Sequence, residues 1–595
     1  MHHNQGVRGL TTSAAQPTTS EDVDVVIMGG GICGLTLAAH LRTALPDIDI
    51  VVVEKQQHPV SEAAHKVGES SVEMQAHYLR DVIGIKEHLE SEQLRKFGLR
   101  IFFSHGDNQD IARRVEFGQI EEAPLSTYQL DRGRLENFLA EHIVRSGVQF
   151  LGSARVSGID LGQDGQRHTV EISNDQGSRH LKARWLIDAS GRAGLLKRKL
   201  GLSKPVGHKA NSAWLRVGYP IDVADWSDDP QWHARVDVER GPYGRRGGPR
   251  RLSTNHLMGD GYWVWVIPLA SGSTSIGIVA DAETHPKAGF NTLDRALEWL
   301  RLHEPQCAAA IESHREQIQD FRVMGDYAYG CKQVYSPDRW CLTGEAGVSI
   351  DPLYSSGGDL MGISNGLIVD LISRDHRGEE IKDRVTAHNQ VYLLMSEIWL
   401  VAYEKQFQVM GDAQVMVAKV IWDTMMYWSV PGLLFFHGKF PRLGESPGAL
   451  HNLLRAWKLH SRAQQFFREW HAVDNPAAHD IFADPYTLLP VIVDLHEGMA
   501  AGLDDQELDK QFAKNVSLLE HAIGQLVTIV IDRLHESEDP TTQAQIQAWL
   551  ADPLLKELHT GYANRQDDPF DSSWVTLGGG GLPLHTRDAV MEPIA

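Results

Sequence analysis

Glycines 29, 31 and 34 with a glutamate at 54 form the most specific chemical pattern in the sequence. The stretch VDVVIMGGGICGL, residues 23–35, runs a β-branched segment into these glycines. An amphipathic stretch, LTLAAHLRTALP, and a second apolar run, IDIVVVEK, follow. Strand, G-x-G-x-x-G, helix and strand make a βαβ unit. Gly29 allows the tight turn, Gly31 lets the backbone approach a pyrophosphate, and Gly34 lets helix and strand pack closely. The helix N-terminus would then face the phosphates with its unpaired N–H groups. Glu54, at the end of the second strand, is placed to accept hydrogen bonds from an adenosine ribose. A plain Gly-rich turn is the alternative, and the unit alone leaves NAD and FAD open.

Two further stretches have side chains suited to chemistry. In GYWVWVIP, residues 261–268, a strand would point both Trp263 and Trp265 to one face, because side chains alternate. That is either core packing or an aromatic wall. In DPLYSSGGD, residues 351–359, Ser356 and Gly357 precede an apolar stretch, LMGISNGLIVDLI, that predicts a helix. Its N-terminus offers backbone N–H groups and a positive dipole end to an anion.

The elements that must position these residues are spread along the chain. RWLIDASGR, residues 184–192, carries Asp188 at the end of a strand. RWCLTGEAGVSIDP, residues 339–352, runs another strand into a Gly-bearing loop. A chain that returns to the nucleotide three times looks like a class A flavoprotein, which favours FAD. The second loop there normally reads G-D-A-A; here it is Gly344-Glu345-Ala346-Gly347, with a carboxylate one methylene longer.

The expected fold class is therefore α/β. It comprises a Rossmann-like FAD-binding domain, an interleaved β-sheet substrate domain and a helical C-terminal region. Residues 1–21 are expected as a disordered tail and 22–375 as the FAD domain interleaved with sheet segments at about 85–150 and 205–325. Residues 376–575 are expected as helical and 576–595 as a flexible tail.

The 595 residues carry a formal charge of −21, which repels nucleic acid and anionic membranes. The four cysteines, Cys33, Cys307, Cys331 and Cys341, form no CxxC or Cys/His zinc pattern, so no metal is expected. Free thiols suit a reducing cytoplasm. The polar N-terminus has no apolar run of a signal peptide. The run 420–438 is interrupted by Asp423 and Pro431 and reads as buried helix rather than a membrane span. The Met- and Trp-rich helices after residue 376 read as core, with a lid over a substrate site as the sharper reading.

Four segments together resemble the flavin-dependent halogenases: the nucleotide motif, Val67-Gly68-Glu69-Ser70, Trp263-x-Trp265-x-Ile267-Pro268, and Asp351-Pro352-Leu353-Tyr354-Ser355-Ser356-Gly357. The resemblance covers roughly residues 22–375. It implies that reduced FAD, delivered by a separate reductase, gives a peroxyflavin that a halide attacks to form hypohalous acid. Ser356 and Gly357 would contact the halide, chloride or bromide. The Trp263/Trp265 wall would keep the substrate from the flavin while a small oxidant passes.

A lysine would then direct the halogen to an electron-rich aromatic ring, free or carrier-bound. Lys96, in EQLRKFGLRIFF, matches best, and Lys66 competes. Glu69 would orient the lysine or a substrate hydroxyl, or make a structural hydrogen bond. Arg134 would face the flavin cleft. The Gly/Arg loop 241–256 is a solvated loop or a contact for an anionic substrate or carrier. Tyr354 stands where tryptophan halogenases tend to carry Glu, which is more like phenol- and pyrrole-type members. The rival readings are an FAD-dependent monooxygenase or dehydrogenase without halide chemistry, and a non-catalytic flavin-bearing binding subunit.

Overall fold

The computed structural model describes residues 20–63, 66–175, 177–236 and 249–563. The Gly/Arg loop at 241–248, most of the expected N-terminal tail and all of 564–595 lie outside them. Ser20 and Glu21, expected in that tail, already belong to the first strand, Ser20–Met28.

The nucleotide unit folds as its pattern predicts. Strand Ser20–Met28, helix Ile32–Ala44 and strand Ile50–Val53 follow in order, and the two strands pair in parallel. Ser20–Met28 also pairs in parallel with Gly177–Asp188, which in turn takes Trp340–Leu342 beside its C-terminal end. Gln149–Leu151 adds a parallel strand beyond Ile50–Val53. The strands are β-branched and apolar because both faces are covered. An antiparallel pair, His168–Asn174 and Arg155–Asp160, continues the sheet from Gly177–Asp188. Chain ends from three distant segments thus converge where the first glycine loop turns, the usual ligand position in such sheets.

A second sheet of eight strands runs in the order Ile318–Gly325, Ala210–Val217, Thr274–Asp281, Tyr262–Pro268, Thr254–Gly259, Leu99–Phe103, Glu116–Phe117, Phe482–Ala483. The last strand comes from the C-terminal region, which was expected to be helical throughout. It pairs in parallel with Glu116–Phe117 and ties the two regions together.

The remaining C-terminal elements are helices, among them Lys382–Val401, Ala413–Tyr427, Pro447–Val473 and Asp505–Leu534. Their starts are written in sequence. Asp412, Ser446 and Asp504 accept first-turn N–H groups, and Asp504 with Glu507 completes a capping box. The run 420–438 is buried helix with a wide turn at Trp428–Gly432 around Pro431. Among the described residues no helix is long and apolar enough to cross a membrane. One apolar core runs from the nucleotide sheet through these helices; a second lies on the far side of the eight-stranded sheet.

Candidate active site

The three glycines of the first loop have different surroundings. Gly29 has φ +123°, and a Cβ there would lie 2.3 Å from the Ala189 carbonyl oxygen. A Cβ on Gly34 would lie 2.0 Å from the Gly29 carbonyl oxygen. These two glycines let the loop close on its own strand and on the turn after Asp188. Gly31, the N-cap of the helix, has open space where its side chain would point. That is the space a pyrophosphate needs, so the cradle fits FAD.

Glu54 accepts the Gly30 N–H at 2.7 Å on one oxygen and the Gln56 N–H at 2.8 Å on the other. Each oxygen keeps a lone pair for a ribose hydroxyl. Gly344 (φ +58°) sits against Cys33 Sγ, which brings the 344–347 loop onto the first glycine loop. Glu345 between them is exposed. Asp188 differs from expectation. It is fully buried, and its carboxylate accepts Ser190 N–H and Oγ on one oxygen and Leu196 N–H on the other. With both oxygens turned to its own loop, it shapes the 189–196 turn rather than reaching a ligand. Burial raises its carboxyl above the usual range.

Ser356 starts the helix Ser356–His376, after Ser355 in the left-handed region. Its hydroxyl is buried between Tyr403 Oη (2.9 Å) and the Asp351 carbonyl (3.4 Å). What Ser356 and Gly357 offer an anion is therefore backbone N–H, free in the first helical turn. Gly357 is exposed, with open space where a Cβ would point. Asn365, on the same helix, donates to Cys33 O and Thr36 Oγ1 and joins it to the nucleotide helix. Asp351 is held by His208 Nε2 (2.8 Å) and Tyr327 Oη (2.6 Å). His208, Tyr327 and Tyr403 come from three distant segments, and no local pattern marks them.

Lys96 ends the strand Leu94–Lys96 and lines a cavity of about 1210 Å³, its mouth included. Its amine is buried and donates to Ser71 O at 2.9 Å. Burial pushes the amine down to about 8, against the opposing pull of Glu73 and Asp359. The cavity walls are mostly apolar, with Leu99, Phe117, Trp399 and Trp428 among them. Helices Lys382–Val401 and Ala413–Tyr427 and the 428–432 turn supply much of the lining, so the C-terminal helices form the cavity wall as well as core. Tyr354 also lines it and donates to Asp423 Oδ2 at 2.9 Å. The sequence signal for Asp423 was its position in an otherwise apolar run.

Glu69 is not among the carboxylates that act on the Lys96 charge; those are Glu73 and Asp359. Residues 69–71 are extended against the Thr127–Gln129 strand, so neighbouring side chains diverge. Ser70 Oγ meets Thr254 Oγ1 (2.8 Å) at the large cavity, while Glu69 lines a second, smaller one with Arg132, Arg216 and Ser275. Burial raises the Glu69 carboxyl to about 7, with Ser275 and Arg216 opposing. Lys66 belongs to that second cavity and pairs with Glu136. Arg134 turns outward to Glu62 at 2.9 Å. Arg132, one turn-face away, is the inward one, paired with Glu136 at 2.7 Å.

Trp263 and Trp265 do share a face, with ring centroids 5.8 Å apart. They join the core that includes the nucleotide domain, while Tyr262, Val264 and Val266 join the other. Trp265 donates to Ser275 Oγ at 3.1 Å and fills the space over Gly277, where a Cβ would lie 2.2 Å from the indole. Trp263 lies 4.8 Å from the His256 ring. Burial, with Lys96 beside it, pushes that imidazole down to about 3. Neither indole is among the residues lining the large cavity. Trp265→Ala is expected to cost roughly 3–5 kcal/mol, because the void cannot collapse across a sheet. Urea unfolding of the variant measures this, and a loss below 1 kcal/mol, the range of volume-conserving swaps, would mean the ring is loosely packed.

The FAD binding domain family model matches residues 22–343. The flavin-dependent halogenase chlA of Dictyostelium discoideum is 23% identical over 68% of this chain and 70% of that one. The 1H-pyrrole-2-carbonyl-[peptidyl-carrier protein] chlorinase of Pseudomonas fluorescens is 28% identical over 57% of this chain and 73% of that protein. Halogenase PltM, solved with phloroglucinol and FAD, superposes with a TM-score of 0.57 over 92% of this chain and 99% of its own, at 17% identity.

Proposed function

Because the chain belongs to the FAD binding domain family, we propose that it is a halogenase that uses reduced FAD to halogenate an electron-rich aromatic substrate. The observation that carries this reading is Lys96: a buried amine that loses its proton far more readily than an ordinary lysine, on an apolar cavity large enough for an aromatic ring. Gly31 and the helix N-terminus behind it hold the pyrophosphate, and Glu54 takes the ribose. Reduced FAD, when bound, supplies the oxygen activation that turns a halide into hypohalous acid.

The N–H groups of Ser356 and Gly357 hold the halide, chloride or bromide. Trp263 and Trp265 keep the aromatic ring from the flavin side. Lys96 hydrogen-bonds the hypohalous acid, or its neutral amine takes the halogen and releases water. In the second case the ring then takes the halogen from nitrogen, loses a proton, and restores the amine. A separate reductase delivers reduced FAD, and the substrate is free or carrier-bound, as the pyrrole chlorinase's name has it for that protein. Four unpaired thiols suit a reducing cytoplasm.

The test combines the protein with FAD, a flavin reductase, NADH, bromide and a panel of phenols, indoles and pyrroles, read by mass spectrometry. Bromide-dependent ring bromination is the expected result. Oxygenated product made without bromide would make the protein a monooxygenase, and flavin reoxidation without any product would make it a binding subunit. Trp263→Ala should lower product while reduced-flavin oxidation continues.

A further inference from the structure

Glu73 opens the short helix Glu73–His77 and lines the large cavity together with Lys96. It is unlike the other carboxylates nearby. Asp423 is heavily engaged, with three donors on its two oxygens: Gln464 Nε2 bonds one oxygen, and Tyr354 Oη and Lys419 Nζ bond the other. Asp359 accepts the Gln75 N–H and is not among the lining residues. Glu73 is in contact on one side, with Oε1 3.3 Å from His496 Nε2 but outside hydrogen-bonding geometry, and keeps 12% of its side chain accessible. The His496 ring is itself clamped, stacked on Trp428 at 4.1 Å and joined through Nδ1 to Tyr486 Oη at 3.1 Å. A carboxylate has about four acceptor sites, so Glu73 retains capacity toward the cavity.

The charge of the site narrows what it accepts. Burial raises the Glu73 carboxyl, but His496, a backbone N–H and Lys96 more than offset it, leaving it below the usual glutamate range. The other titratable groups around it are Asp359, Tyr427 and Tyr486. An anionic substituent beside Glu73 would be repelled, and an aromatic ether would leave the carboxylate desolvated without a donor. A neutral ring with a donor satisfies both conditions.

We propose that Glu73 anchors the substrate, accepting a hydrogen bond from a phenolic hydroxyl or ring N–H and turning the ring carbon activated by that group toward Lys96. This rests on the halogenase reading for its consequence, and on the cavity alone for binding. The probes are resorcinol and 1,3-dimethoxybenzene, which differ in hydrogen-bond donation. Binding is read in the FAD-loaded protein, without reductant or halide, by quenching of tryptophan fluorescence; Trp399 and Trp428 line the cavity.

The wild type should bind resorcinol at least about tenfold more tightly than the ether, the usual scale for a hydrogen bond to a charged group. Glu73→Gln, which keeps the shape, should bring the ratio to within about threefold. Toluene affinity should not change, which shows the cavity intact. His496→Gln, the second variant, should give an intermediate ratio, because it frees the carboxylate to turn. An unchanged ratio in Glu73→Gln, or a wild type that binds both probes alike or neither, overturns the proposal. Bromination separates the two readings. A wild type that brominates resorcinol while Glu73→Gln keeps the binding ratio defeats the anchor alone. A wild type with the binding ratio and no bromination defeats the halogenase reading alone.

Discussion

Lys96→Met is expected to stabilise the protein by about 3 kcal/mol at neutral pH and to abolish halogen transfer. The amine falls from an ordinary 10.5 to about 8, chiefly because burial disfavours its charge. At 1.36 kcal/mol per pH unit that drop is worth about 3 kcal/mol. The unfolded chain binds the proton more readily, so the penalty is complete below pH 8 and fades as pH rises toward 10.5. Stability of the wild type should therefore rise across that window, and the advantage of Lys96→Met should vanish near its top.

Methionine is close in length, so cavity terms stay small. The attraction of Glu73 and Asp359 for the cation is already contained in the net value of about 8. Urea unfolding at pH 7 and pH 10 measures both points, and an advantage independent of pH would refute the account. Lys96→Arg should be inactive too, since arginine does not release its proton to become a nucleophile. Both variants should still bind FAD and consume reduced flavin. Lys66→Ala, on the second cavity, should keep its activity. If the halogen passes through the neutral amine, wild-type product formation should rise through about pH 8.

Gly31→Val and Gly34→Val should fail in opposite ways. Open space surrounds the Cβ position of Gly31, so valine there leaves the empty fold intact but occupies the pyrophosphate's place. FAD affinity should fall by a factor on the order of 100 or more, about 3 kcal/mol, with the unfolding midpoint of the FAD-free protein unchanged. At Gly34 the Cβ would lie 2.0 Å from a backbone oxygen, so the strand–helix contact itself must open. The FAD-free protein should then lose several kcal/mol, as overpacked sites do. Titration of FAD into each variant, with thermal melts without FAD, separates the two effects. Equal loss of stability in both would mean that Gly31 is a packing glycine as well.

The nucleotide unit was legible because its determinants are local. The positive φ of Gly29 and the contact of Gly34 with Gly29 lie within one turn, and Glu54 closes the next strand, although the close approach of Gly29 to Ala189 is long-range. The same holds for the shared face of Trp263 and Trp265, which follows from strand alternation, and for the helix after Ser356. Lys96 was readable only through resemblance; its burial and lowered pKa are properties of its surroundings.

What tertiary structure decided is which residues share a cavity. The resemblance offered Glu69 as a partner for the lysine or as a structural hydrogen bond, but extended backbone sends alternate side chains to opposite faces; Glu69 bonds Ser275, and Glu73 is the glutamate that acts on Lys96. Asp188 was read as facing the cofactor, yet the turn that follows it uses both of its oxygens. His208, Tyr327 and Tyr403 steady the Asp351–Ser356 loop from segments scattered over 200 to 403, and His496 comes to lie against Glu73 from farther still. The sequence by itself determined most elements and the dinucleotide cradle, because periodicity and glycine conformation are local physics; the choice of FAD came from the resemblance. The identity of the cavity wall arose only when the C-terminal helices and the Phe482–Ala483 strand packed onto the sheet, since burial and charge pairing depend on contacts that no spacing along the chain encodes.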